Sequence, residues 1–260
     1  MNLDFEKALT YVFKDPQWVN KLLAGTGLIY AILAVLLIPA AVFVFSDSAF
    51  VSGIVFLICY TVSFILSFAL AGYIAETANK RINYQNSLLP DWSSFGQFII
   101  SGLKYFAGYF LYLLPVLVLC LIFLFLTGMM IGSASFYTGA FNTVIFLLMT
   151  LMGALVLMCF ILVTIFCPLM MSNYFKSLKT LAFVDFKGAF ELLKNNAGNY
   201  FVIILLFIAM SILAQFVSSI LIMTIAGVIL IPLVYFYIYL VIAELCAQFV
   251  LSAKEKQQQD

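Results

Sequence analysis

YFAGYFLYLLPVLVLCLIFLFLTGMMIGSASFYTGAFNTVIFLLMTLMGALVLMCFILVTIFCPLMMSNYF, Tyr105 to Phe175, runs for 71 residues without an Asp, Glu, Lys or Arg. About 20 apolar residues cross the hydrocarbon core of a bilayer as a helix. One uncharged stretch of this length therefore holds two membrane spans and a turn. In hydrocarbon every backbone N–H and C=O must be satisfied inside the chain, and a helix does this within one segment.

The same pattern extends outward in both directions. Apolar runs at about 22–45, 49–75, 105–126, 143–171, 200–223 and 226–251 read as six spans of a single polytopic domain over residues 1–260. Composition agrees: 66% of the 260 residues are hydrophobic and 9% are charged, against roughly 25% charged in a soluble domain. The first residues mix Asp4, Glu6 and Asp15 with Lys7, Lys14 and Lys21. They lack the basic start and cleavage site of a secretory signal, so the first apolar helix is expected to be retained.

The twelve basic residues set the expected orientation. Lys7, Lys14 and Lys21 precede the first span; Lys80, Arg81 and Lys104 lie between the second and third; Lys176, Lys179, Lys187 and Lys194 lie between the fourth and fifth; Lys254 and Lys256 follow the sixth. The three other loops carry only Asp47. Positive charge stays on the cytoplasmic side, which predicts both termini inside. Each cytoplasmic segment ahead of a hairpin also shows helical spacing of apolar residues. The segments are about 3–14 (Phe5, Ala8, Leu9, Val12), 92–104 (Phe95, Phe98, Ile99, Leu103) and 183–197 (Phe186, Ala189, Phe190, Leu193). They are expected to lie as amphipathic helices at headgroup level. The unit of interfacial helix plus hairpin recurs about every 90 residues, from Leu3, Asp91 and Asp185.

Few residues offer chemistry. With no histidine, His-based acid–base catalysis, His-activated nucleophiles and His-ligated metals are excluded. The five cysteines lie in apolar stretches with no CxxC pair. No catalytic residue, cofactor site or metal site is expected, and the interleaved charges do not suggest nucleic acid. An ionisable residue inside a span is a functional candidate: Glu76 and Glu244 qualify, both in an Ile-Ala-Glu triplet. Glu76 is expected to pair with Lys80 one turn on, and Glu244 to find hydrogen bonds from Tyr237 and Gln248. If that role is structural, Glu244→Gln should be nearly silent. Gln215 is the clearest polar side chain at mid-span, expected to hydrogen-bond between helices. Cys59, Ser63, Ser67, Ala71 and Ala75 form an i+4 ladder of small residues expected to pack helix on helix, with a weaker GxxxG at Gly128 and Gly132. Pro39, Pro115, Pro168 and Pro232 fall inside spans with apolar flanks, which predicts kinks rather than breaks.

The stretch FKDPQWVNKLLAG, Phe13 to Gly25, has its own local grammar. Asp15 suits an N-cap and Pro16 a first helical turn; Trp18 and Lys21 then mark the interface. LPDW at Leu89–Trp92 repeats it, with Trp92 as anchor, and Phe186 and Phe190 are the corresponding anchors of the third unit. Together with Gly72-Tyr73, these motifs resemble the domain-of-unknown-function family numbered 4013, a family of prokaryotic membrane proteins. The resemblance covers the N-terminal 115 residues well and continues by hydropathy and segment order. It implies a bacterial or archaeal cell membrane and no established activity. The expected function is a non-enzymatic scaffold, assembly or lipid- and partner-binding subunit. Its partners would be lipids, other membrane proteins or further copies of itself. The alternative is a small oligomeric transporter or channel.

Overall fold

A computed structural model describes residues 3–45, 48–84, 87–133 and 140–257. Among these residues eight α-helices follow one another: α1 Phe5–Thr10, α2 Trp18–Phe45, α3 Ala49–Asn83, α4 Phe95–Ser133, α5 Ala140–Ser177, α6 Phe186–Asn195, α7 Ala197–Leu221 and α8 Ile225–Gln257. Short 3-10 turns cover Val12–Lys14, Trp92–Ser94 and Thr180–Phe183. Six of the helices, α2 to α5, α7 and α8, are long and apolar enough to cross a membrane.

The helices outrun the apolar stretches, because backbone hydrogen bonding does not stop where hydrophobicity does. α3 continues past Ala75 through Glu76, Lys80 and Arg81 to Asn83. Asp4 and Asp185 cap α1 and α6, accepting from the N–H of Lys7 at 2.9 Å and of Gly188 at 3.0 Å. The prolines interrupt nothing: Pro39, Pro115, Pro168 and Pro232 each lie inside one continuous helix. A separate second interfacial helix does not form. Residues 95–104 are the first turns of α4, which runs unbroken into the expected third span.

The chain divides into two compact units, Met1–Gly108 with Leu169–Asp260, and Tyr109–Pro168. In the first unit α8 is the most deeply buried long helix, touching α1, α2, α3, α6 and α7. Its Phe236 and Leu240 join Tyr11, Leu22, Tyr73 and Phe98 in one cluster. Gly25 is needed there: a Cβ on it would lie 2.1 Å from the Phe236 ring. α3 and α4 approach backbone to backbone, since a Cβ on Gly72 would sit 1.7 Å from the Phe98 carbonyl oxygen and one on Gly102 1.8 Å from that of Phe68. In the second unit the Tyr112 hydroxyl donates to the Val163 carbonyl at 2.9 Å, and Phe123 rests on Gly153.

Candidate functional site

Two polar assemblies stand out: one joins α1, the end of α3 and α8, and the other joins the start of α2 to residues 89–92. In the first, Glu244 is 1% exposed. Arg81 donates through Nε to both carboxylate oxygens, at 3.0 and 2.9 Å. Gln248, one turn along α8, donates to Glu244 Oε1 at 3.1 Å and to the Asp4 carbonyl at 3.2 Å. Its own amide oxygen accepts from the Asp4 N–H at 2.9 Å. The Tyr11 ring lies 5.7 Å from the Arg81 guanidinium carbon, in reach of a cation–π contact. Burial, then the Glu244 charge, raises the Tyr11 pKa well above the ordinary tyrosine range. The phenol therefore stays neutral, and donates to the Ser87 carbonyl at 3.4 Å. The Tyr237 hydroxyl, expected at Glu244, goes instead to the Leu9 carbonyl at 2.7 Å.

The second assembly joins the two sequence motifs. Asp15 is 2% exposed. One of its oxygens accepts from the Gln17 N–H at 2.8 Å, as a cap does. The other accepts from Lys21 Nζ at 2.8 Å and the Leu89 N–H at 3.1 Å. Lys21 donates further to the Leu89 carbonyl at 2.8 Å and to Asp91 at 2.9 Å. An ammonium has three protons, and here all three have acceptors. Trp92 donates its indole N–H to the Lys21 carbonyl at 3.2 Å and stacks on Tyr73 at 4.2 Å and 4°. The Tyr73 hydroxyl closes the knot on the Pro90 carbonyl at 3.1 Å. Lys21 lowers the pKa of Asp91 from the ordinary aspartate value.

Glu76 lies apart from both. It is 4% exposed and accepts from Ser101 at 2.7 Å and Gln97 at 3.2 Å, while the Tyr174 hydroxyl holds the Ser101 carbonyl at 2.6 Å. The expected Lys80 pairing is absent: the donors come from α4, and no cation pairs with Glu76 among the described residues. Nor do those residues gather a set of metal ligands.

A family model described as "Protein of unknown function (DUF4013)" matches residues 55–223, more than half of the chain. The chain belongs to this family. The DUF4013 match takes in Gly72-Tyr73 and LPDW but begins after Phe13–Gly25, so the N-terminal half of the knot lies outside it. It also reaches α7, well beyond the N-terminal 115 residues where the motifs lie. No curated protein and no solved structure matches the chain.

The remaining candidates of this DUF4013 protein scatter. Trp18 is half-buried with its ring edge-on to Phe13 at 5.0 Å. Lys21, expected to mark the cytoplasmic edge of the span, is buried inside the knot. Phe186 and Phe190 are exposed, whereas Ala189 and Leu192 of the same helix are buried. Gln215 is exposed and lies in the last third of α7 rather than at its middle. Of the small-residue ladder, Cys59, Ser63 and Ala75 are buried. Ser67 and Ala71 line an apolar cavity of about 290 Å³ with Tyr105, Phe175 and Ile242. Gly128 has open space around it. Sequence reading missed Arg81 as a partner of Glu244, and Gly72 and Gly102 as the close contact. An arginine among lysines at the end of a span was the available signal for the first, because Arg is the favoured partner for a buried carboxylate.

Proposed function

We propose that this chain is a non-enzymatic, multi-pass protein of the prokaryotic cell membrane. Its termini lie in the cytoplasm, and it serves as a scaffold or assembly subunit engaging lipid and neighbouring membrane proteins. The observation that carries this is the saturation of Glu244. The carboxylate most able to serve a substrate is held by Arg81 and Gln248, and the backbone of Asp4 closes over Gln248. A pathway that used Glu244 would need that assembly to open. Continuous helices at all four prolines also support it, because transporter sites are commonly built from broken ones.

α6 supports the lipid-facing part of the reading. Its buried side, Ala189 and Leu192, meets the protein; Phe186 and Phe190 project on a second side; Lys187 and Lys194 stand on a third. A helix so divided suits the boundary between headgroups and acyl chains.

The test is isolation of the tagged chain from native membranes, with identification of bound proteins and lipids, beside reconstitution of the chain alone in vesicles. A reproducible stoichiometric partner or lipid is expected, with no substrate-dependent flux. One observation favours the transporter reading: Glu76 is buried with neutral donors only. Flux by the chain alone that Glu76→Gln abolishes, with the fold intact, would establish that reading in place of the scaffold.

A further inference from the structure

α7 buries Ile203, Met210, Ala214 and Ser218 on one side and packs on α8. Away from that side, exposed residues recur at seven-residue spacing. Phe201, Ile208, Gln215 and Ile222 form one exposed row, and Leu205, Ile212 and Ser219 a second row four residues on. Every member but two is apolar. The Gln215 amide has no hydrogen-bond partner among the described residues, while its backbone carbonyl accepts from the Ser219 hydroxyl at 2.8 Å. Gln215 is six residues from the end of a 25-residue helix. That is roughly 9 Å at the rise of an α-helix, inside the hydrocarbon of a bilayer that α7 crosses.

A carboxamide with empty donor and acceptor positions is unfavourable in hydrocarbon. A polar side chain at one point of a seven-residue apolar repeat fixes register in paired helices, and in lipid such groups join helices. We propose that α7 pairs in parallel with α7 of a second copy of this chain, with Gln215 bonded reciprocally to Gln215 of that copy. Copies inserted in one orientation meet parallel, and a two-fold axis along the membrane normal brings each residue of the row onto itself. An amide is self-complementary in that arrangement, because it donates and accepts at once. This names one partner for the scaffold and rests on α7 crossing the membrane; if it fails, capture of other proteins or lipids is untouched.

The test replaces the five native cysteines by alanine and introduces one cysteine at a time, with oxidation in native membranes. Ile208→Cys, Gln215→Cys and Ile222→Cys should give a disulfide dimer. Leu213→Cys and Ile220→Cys, exposed on another side, should not. In the Ile208→Cys chain, Gln215→Leu should lower the dimer several-fold and Gln215→Asn should retain it. Because Cys59 and Cys246 are buried, energy transfer between differently labelled copies of the cysteine-intact chain gives a second readout, with Gln215→Leu again the variant. Cross-linking equal at all five positions, none on the row, a cross-link to another protein, or a dimer indifferent to Gln215→Leu would each overturn the proposal.

Discussion

Arg81 Nε stands between the two oxygens of Glu244, 3.0 Å from one and 2.9 Å from the other. The residues are 163 positions apart and both are almost wholly buried, so the pair ties the end of α3 to α8. Its existence changes the expectation for Glu244→Gln. An amide keeps hydrogen bonds but removes the charge that balances Arg81. Breaking a buried pair on one side leaves the other charge uncompensated, which is strongly destabilising. The substitution is therefore expected to be costly even though its role is structural.

The α3–α4 contact gives a sharper steric test. A methyl at Gly72 or Gly102 would meet backbone carbonyl of the facing helix, not a side chain that could swing away. Gly72→Ala and Gly102→Ala should each cost at least about 1–3 kcal/mol, the usual range for overpacking. Gly27→Ala, with nothing near its Cβ, should be neutral or slightly stabilising. Thermal unfolding in detergent separates the three.

The Lys21 assembly predicts an unequal response from its two carboxylates. Asp15 is buried, whereas Asp91 is 69% exposed on its side chain. Asp15→Asn should destabilise clearly and Asp91→Asn slightly. Because Lys21 holds Asp91 below the ordinary aspartate pKa, the Asp91 contribution is complete above the unfolded value and lost as pH falls through the lower folded one. The difference between wild type and Asp91→Asn should stay constant down to about pH 5 and shrink in stronger acid.

Orientation is tested by reporters. Fusions after Lys80, Lys187 and Lys256 should read cytoplasmic, and fusions near Asp47 and Tyr137 external; the last two positions lie outside the described residues. A cytoplasmic signal at Tyr137 would remove the six-span topology.

Spin labels test the placement of α6. A label at Phe190 should be protected from a water-soluble relaxant and one at Lys187 accessible. Equal, high accessibility at both would place α6 in water.

Much of this fold was legible because lipid imposes simple rules. Hydropathy located the six long helices, and the helical spacing of Phe5, Ala8 and Leu9 and of Phe186, Ala189 and Phe190 marked the two short ones, α1 and α6. Lateral partners were harder. Nothing in the spacing of Glu76 distinguishes Lys80 on its own helix from Ser101 on α4, and packing chose Ser101. Lys21 reads as an interfacial anchor, and its further partners Leu89 and Asp91 reach it only by contacts spanning some 70 residues. The second expected interfacial helix was lost for a related reason. Without a proline or cap between Leu103 and Tyr105, nothing ends the helix where the apolar run begins.

Glu244 is held by Arg81 and Gln248 as a locked structural carboxylate, and a double-mutant cycle tests that lock directly. Unfolding free energies would be compared for wild type, Arg81→Gln, Glu244→Gln and the double variant. Each single change should cost about 3–5 kcal/mol. The double variant should lose less than the two singles together, by at least about 2 kcal/mol, because neither charge is then stranded. Strictly additive losses, or a silent Glu244→Gln, would contradict the lock and return Glu244 to the list of groups free to serve a substrate.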